Sequence, residues 1–250
     1  MIEAVKSRWF DTVFFHYNKH CLLRRHFHSI GLQGSLDPQE QQGILYVMNH
    51  SSWWDGLIAY HLFRTCSRGD HYVMMDEKQM RQYRFFRKLG AFSIDKSSSR
   101  GLTQSLKYAV SLLDAGKQVW IYPQGDIQHL EKQPLVFQNG IGFLLERSPK
   151  TAVIPVTIYY TMGHYQKAEV TLAAGEPIRY PWNELGRAEA VRLISDHFNV
   201  QLLRHKELVV SGTAAGSDFA QLLRPGRSTS DRFDAVKKRV DAWKSFFGSS

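Results

Sequence analysis

Between residues 44 and 175 short apolar runs alternate with longer amphipathic stretches, and that alternation narrows the folds open to the chain. The runs "ILYVMN" (44–49), "YVMM" (72–75), "AFSIDK" (91–96), "QVWIYP" (118–123), "AVIPVTIYY" (152–160) and "AEVTLAAG" (168–175) have the length and residue types of strands. Helical patterns fill the gaps: "WWDGLIAYHLF", a basic "EKQMRQYRFFRKL" ending at Gly90, residues 99–115, a short 139–147, and 187–204. In the third of these, Leu102, Leu106, Val110 and Leu113 recur at helical spacing before Gly116 closes it. The pattern predicts an α/β fold, a central mixed, mostly parallel sheet flanked by helices. With 250 residues and 43% apolar content, one large domain can bury its own core.

Both ends of the chain read as amphipathic helices. Over residues 4–25, Phe10, Phe14, Tyr17 and Cys21 fall on one face with Trp9 and Val13 beside them, while Ser7, Asp11 and Asn18 fall opposite. Phe15 sits among the polar residues, and Lys6, Arg8, Lys19, Arg24 and Arg25 add positive charge. A helix of this kind either lies on an anionic membrane surface or packs on its own domain. Residues 210–230, rich in Gly, Ala, Ser and Thr, read as a loose connection. A last helix follows with the stripe Phe233, Val236, Val240, Trp243 and Phe247. The expected organisation is a membrane-associating segment over 1–30, an α/β domain over 31–205, and a linker with an amphipathic helix over 206–250.

No apolar run approaches the ~18–20 residues that cross a bilayer. Asp11 interrupts what could have been a signal segment, and no small-residue cleavage site follows it. The expectation is a protein peripheral to the cytoplasmic face of the cell membrane. Cys21 and Cys66, neither in a C-x-x-C spacing, fit a reducing compartment without a disulfide framework.

A surplus of 32 Lys+Arg over 23 Asp+Glu suits nucleic acid, anionic lipid or a phosphate-bearing ligand alike. The best nucleic-acid candidate is Arg81, Arg84, Arg87 and Lys88, interleaved with Tyr83, Phe85 and Phe86. Paired phenylalanines at a helix end are more often core, and no nucleic-acid motif accompanies them, so no nucleic-acid partner is expected. The same cations suit the phosphates of coenzyme A or lipid headgroups. His16 and His20 stand four apart near Cys21, His26 and His28, but a zincin would need Glu where Tyr17 stands, and no metal is expected.

Four polar patches sit at or just after predicted strand ends: His50 to Asp55 in "NHSSWWDG", "GAFSIDK" (90–96), "YPQGD" (122–126) and "VIPV" (153–156). Ligands of an open α/β sheet collect at the carboxyl ends of its strands. Histidine, with an ordinary pKa of about 6.5, can take a proton from an attacking hydroxyl and return it to a leaving group. A carboxylate on its Nδ1 fixes the tautomer and leaves Nε2 free. His50 and Asp55 fit those roles. A plainer reading makes His50 a strand-end residue satisfied by a carbonyl and Asp55 a helix-start carboxylate. Ser51 and Ser52 read as N-cap candidates for the helix at Trp53. Trp53 and Trp54 suit core positions, or one of them the wall of an acyl channel.

In order and spacing the patches resemble the glycerolipid acyltransferases of the lysophosphatidic acid type. That family carries N-H-x-x-x-x-D, G-x-x-F-I-D-R, F-P-E-G-T-R and an apolar-Pro-apolar motif. Here the counterparts are Asn49-His50-x4-Asp55, Gly90-Ala91-Phe92-Ser93-Ile94-Asp95-Lys96, Tyr122-Pro123-Gln124-Gly125-Asp126-Ile127 and Val153-Ile154-Pro155-Val156, a resemblance spanning roughly 40–175. It implies an enzyme that moves a fatty acyl group from acyl-CoA or acyl carrier protein to a lipid hydroxyl, without a further cofactor. His50 would be the base and Asp55 its orienter, with Lys96, Arg100, Gln124, Gly125 and Asp126 on the acceptor side. The family's Glu, Thr and Arg in the third motif are Gln124, Asp126 and Ile127 here, and its second-motif Arg is Lys96. Ile127 cannot make the charge-assisted contact that an arginine makes with phosphate. These departures favour a neutral polyol acceptor, such as a glycolipid or a glycosylated carotenoid, beside lysophosphatidate. The competing reading is a non-catalytic, basic membrane-surface or nucleic-acid-binding protein.

Overall fold

The computed structural model describes residues 1–37, 42–212, 219–225, 233, 236–240 and 243. Among them the helices are α1 (Arg8–Tyr17), α2 (Arg24–His26), α3 (Asp55–Cys66), α4 (Glu77–Gln82), α5 (Ser99–Asp114), α6 (Gly140–Arg147) and α7 (Arg187–Val210). The strands are β1 (Phe27–Gln33), β2 (Ile44–Met48), β3 (His71–Asp76), β4 (Ala91–Ile94), β5 (Gln118–Ile121), β6 (Ala152–Thr161), β7 (Ala168–Ala174) and β8 (Ala220–Leu223). They form a sheet in the order β4-β3-β5-β2-β6-β7-β1-β8. Five of its seven pairings are parallel, and β6–β7 and β1–β8 are antiparallel. The expected mixed, mostly parallel α/β sheet is what forms.

Side chains alternate across a strand, so each strand feeds two cores. From β2, Ile44, Tyr46 and Met48 join a cluster with α1 and α3, whereas Leu45 and Val47 join one with α5, α6 and α7. All of β2 is buried, as befits a strand covered on both faces. Asn49 then fastens its exit: the amide donates to the carbonyl of Ile158 on β6 at 3.0 Å and accepts from the Ile158 amide at 2.8 Å.

Several expected elements shift. Residues 2–7 are not helical but run beside β4 and the turn before it, with Ser93 N bonding Ile2 O at 2.8 Å and Val5 N bonding Arg87 O at 2.9 Å. The helix begins at Arg8, capped by Ser7, and continues through a π-helical turn, Asn18–Leu23, into α2. Its faces also differ from the expected ones. Phe10 and Phe14 go inward, but Trp9, Val13, Tyr17 and Cys21 are exposed, while Asn18 is fully buried and donates to Leu57 O at 3.0 Å. Asp11, on the supposed polar face, pairs with Arg64 at 2.9 Å and accepts from the Tyr60 hydroxyl at 2.8 Å. Phe15 stacks on His61. Polar residues with partners on α3 thus form part of the docking face.

The basic helix over 77–89 breaks at Tyr83 into α4 and a 3-10 turn, Arg84–Leu89, where Phe85 and Phe86 pack on Phe14. The turn ends at Gly90, whose φ of 102° suits glycine. "FHSIGLQ" is a strand that the reading above omits, and "AQLL" in the expected loose connection pairs with it. The helix over 187–204 runs on to Val210. Phe233, Val236, Val240 and Trp243 are helical and exposed; Phe247 lies outside the described residues. No described helix is long and apolar enough to cross a membrane.

Candidate active site

The loops that follow β2, β4 and β5, together with β3, which lies between β4 and β5 in the sheet, enclose one cavity of about 610 Å³. That volume lies within the ~300–1,000 Å³ of small-molecule sites. His50 stands on its wall with Trp53, Lys96, Tyr122, Gly125, Asp126 and Ile127, and the apolar lining comes from both layers: Leu57, Tyr60 and Phe63 of α3, Leu106 of α5 and Leu144 of α6.

The expected contact exists. His50 Nδ1 lies 2.8 Å from Asp55 Oδ2, an oxygen that also accepts from the amides of Ser51 (2.7 Å) and Ser52 (2.9 Å). Oδ1 accepts from the Tyr160 hydroxyl at 2.5 Å. Asp55 is completely buried, whereas the His50 side chain keeps 21% exposure. A buried carboxylate holds its charge when donors surround it. Burial, and then the charge of Asp55, push the Tyr160 phenol well above its ordinary value, so it stays a donor. The His50 ring stacks on Tyr122, with centroids 4.4 Å apart. Burial likewise raises the Tyr122 phenol, and its hydroxyl has no protein partner.

Asp55, not a serine, organises the start of α3. Ser52 Oγ accepts from Trp54 N at 3.2 Å but does not cap the helix, and Ser51 Oγ is buried without a partner. The tryptophans part company. Trp53 is 52% exposed and lines the cavity, while the half-buried Trp54 packs edge-on against Phe27 at the edge of the core.

The remaining expected residues divide as well. Lys96 Nζ donates to Gly125 O and lies 3.4 Å from Asp126 and 3.6 Å from Asp76. Gly125, with φ of 85°, makes the turn that brings this carbonyl round. Asp126 is 89% exposed at the mouth. Two placements correct the sequence reading. Gln124 does not reach the cavity: it is buried, its Oε1 accepts from His50 N at 2.5 Å and its Nε2 donates to His50 O at 3.4 Å. Arg100 points outward from the first turn of α5 and takes no part in the cavity wall. The fourth patch is not at a strand end, since Pro155 pairs with Val47 inside β6. Among the described residues no cluster of His, Cys, Asp and Glu could hold a metal ion.

Sequence reasoning passed over Tyr160. Its signal was the alternation along β6, which sets Tyr160 on the same face as Val156 and Ile158, towards α3.

A doubly covered, mostly parallel sheet with a histidine–carboxylate pair over an apolar cavity defines an enzyme of the α/β class. The chain belongs to the acyltransferase family, whose model, described as Acyltransferase, matches residues 29–159. It is an acyltransferase, acting between an acyl donor and a lipid acceptor. Among solved structures it is similar in fold to PlsC, the 1-acyl-sn-glycerophosphate (LPA) acyltransferase from Thermotoga maritima. The two share 16% identity over 79% of this chain and 77% of that one, with a TM-score of 0.56. None of the curated proteins matches the chain.

Proposed function

We propose that the enzyme transfers a fatty acyl group from acyl-CoA or acyl carrier protein to a hydroxyl of a lipid, with His50 as general base. The observation that carries this reading is the 2.8 Å contact of His50 Nδ1 with Asp55, which leaves Nε2 unengaged by that carboxylate, on the wall of the cavity. Nε2 takes the proton of the acceptor hydroxyl as its oxygen attacks the thioester carbonyl carbon. The carbon–sulfur bond then breaks, and the imidazolium returns the proton to the departing thiolate. Asp55 steadies the imidazolium in between. The apolar lining suits the acyl chain.

The rim supports a neutral acceptor, such as a glycolipid or carotenoid glycoside, over lysophosphatidate. Its ammonium, Lys96, is already offset by Asp76 and Asp126, and Ile127 offers phosphate no donor. Attachment is peripheral: Trp9, Val13 and Tyr17 form an exposed stripe on α1, with Arg8, Arg24 and Arg25 exposed near it, an arrangement suited to an anionic bilayer. The three expected segments over 1–30, 31–205 and 206–250 then serve as anchor, catalytic domain, and linker with amphipathic helix, although β1, which straddles the first boundary, and β8, from the last segment, complete the sheet.

The test is release of thiol from a labelled acyl-CoA across a panel of acceptors, for the native chain and His50→Ala. Acceptor-dependent release that disappears in the variant supports the reading. Equal release from both removes His50 from the chemistry.

A further inference from the structure

The oxygens of Asp55 are served from two directions. Oδ2 receives His50 and the amides of Ser51 and Ser52, all from the loop that Asp55 itself closes. Oδ1 receives the hydroxyl of Tyr160, 105 positions away in the chain, from the far end of β6. The geometry points to Tyr160 as a positioning residue that sets the proton affinity of His50 through Asp55, an inference resting on the general-base reading above.

A carboxylate shares its negative charge between its two oxygens. A donor on Oδ1 holds the carboxylate plane, so that Oδ2 stays in line with the imidazole Nδ1–H. It also draws negative charge towards Oδ1, which weakens the pull of Oδ2 on an imidazolium. Tyr160 therefore keeps His50 neutral, and able to accept a proton, down to a lower pH than Asp55 alone would allow. Asp55 has no exposure to water, so solvent does not dilute the effect.

Other charged and titratable groups near the pair are left in place by the test. Tyr122 stacks on His50, and Lys96, Asp76 and Asp126 line the same cavity. On its outer side Tyr160 borders a surface pocket with Arg25, His26 and Lys167.

Tyr160→Phe deletes the hydroxyl alone. The expected result is an upward move of about one pH unit, a tenfold change in proton affinity, in the His50 ring titration followed by NMR without substrate. The acid limb of kcat/KM for thiol release should move equally. A folded variant whose His50 titrates as in the native chain would overturn the inference. Should Tyr160→Phe fail to fold, 3-fluorotyrosine at position 160 keeps the shape and makes a stronger donor, so the titration should move downward. An unmoved titration there overturns the inference too. The NMR arm needs no turnover, so a native chain inactive in the thiol assay would sink the general-base reading without deciding this one.

Discussion

Asp55, behind the wall of the cavity, and Asp126, on that wall, are held very differently. Asp55, beside the floor, is buried and takes four donors; Asp126, at the rim, is 89% exposed and faces one lysine at 3.4 Å. At the floor each group is fixed by several others, so a small displacement is costly and reactive geometry persists. At the rim the groups are few and solvated, and an exposed pair of that kind contributes about 0–1 kcal/mol. The proposed function assigns reaction chemistry to the first region and choice of acceptor to the second.

That contrast can be broken most sharply at Asp55. Asp55→Asn should lower turnover by about three to four orders of magnitude, because an amide presents the wrong partner to His50 Nδ1, with KM little changed. Steady-state kinetics decide it, and a loss confined to KM would put Asp55 on substrate instead. Next comes Gln124→Leu, which leaves the His50 amide unpaired. A loss of about 1–3 kcal/mol in stability should accompany it, read in denaturant unfolding. Turnover should fall by about tenfold to a hundredfold as the His50 backbone loosens. A rise in acceptor KM alone would return Gln124 to the rim.

The two faces of α1 and the turn after it repeat the contrast on a larger scale, tied inward through Asp11 and Asn18 and bare outward. Trp9→Ser should lower partitioning onto anionic vesicles by roughly tenfold, the order expected for one large apolar side chain. Flotation measures it, and unchanged partitioning would make the stripe irrelevant to membranes. The smallest effect belongs to the rim. Ile127→Arg should raise the use of a phosphorylated acceptor relative to a neutral one by a few-fold to about tenfold. An unaltered ratio would detach Ile127 from selectivity.

The sequence made the parallel half of the sheet legible because its strands are dense in Val, Ile and aromatic residues and separated by helical periods. It concealed β1, where His28, Ser29 and Gly31 interrupt the apolar pattern although all three are buried. It concealed β8, a short strand in surroundings rich in turn formers. The His50–Asp55 pair was legible because the partners are close along the chain and the loop between them is short. Gln124 misled because side-chain type says what a group can bond to, not where it points. Its partner is the backbone of a residue 74 positions earlier, reachable only once β2 and β5 lie side by side. Tyr160 stayed hidden for the same reason at greater separation.

The first letter of the "NHSSWWDG" loop follows from a two-way bond. Asn49 gives one hydrogen to Ile158 and takes one back, a reciprocity met elsewhere between paired bases. Aspartate could take but not give, leucine could do neither, and glutamine would arrive a methylene too long. An amide of this reach is therefore the natural latch between β2 and β6, the strands that lead to His50 and carry Tyr160, and whatever loosens it should be felt at Asp55 from both sides at once.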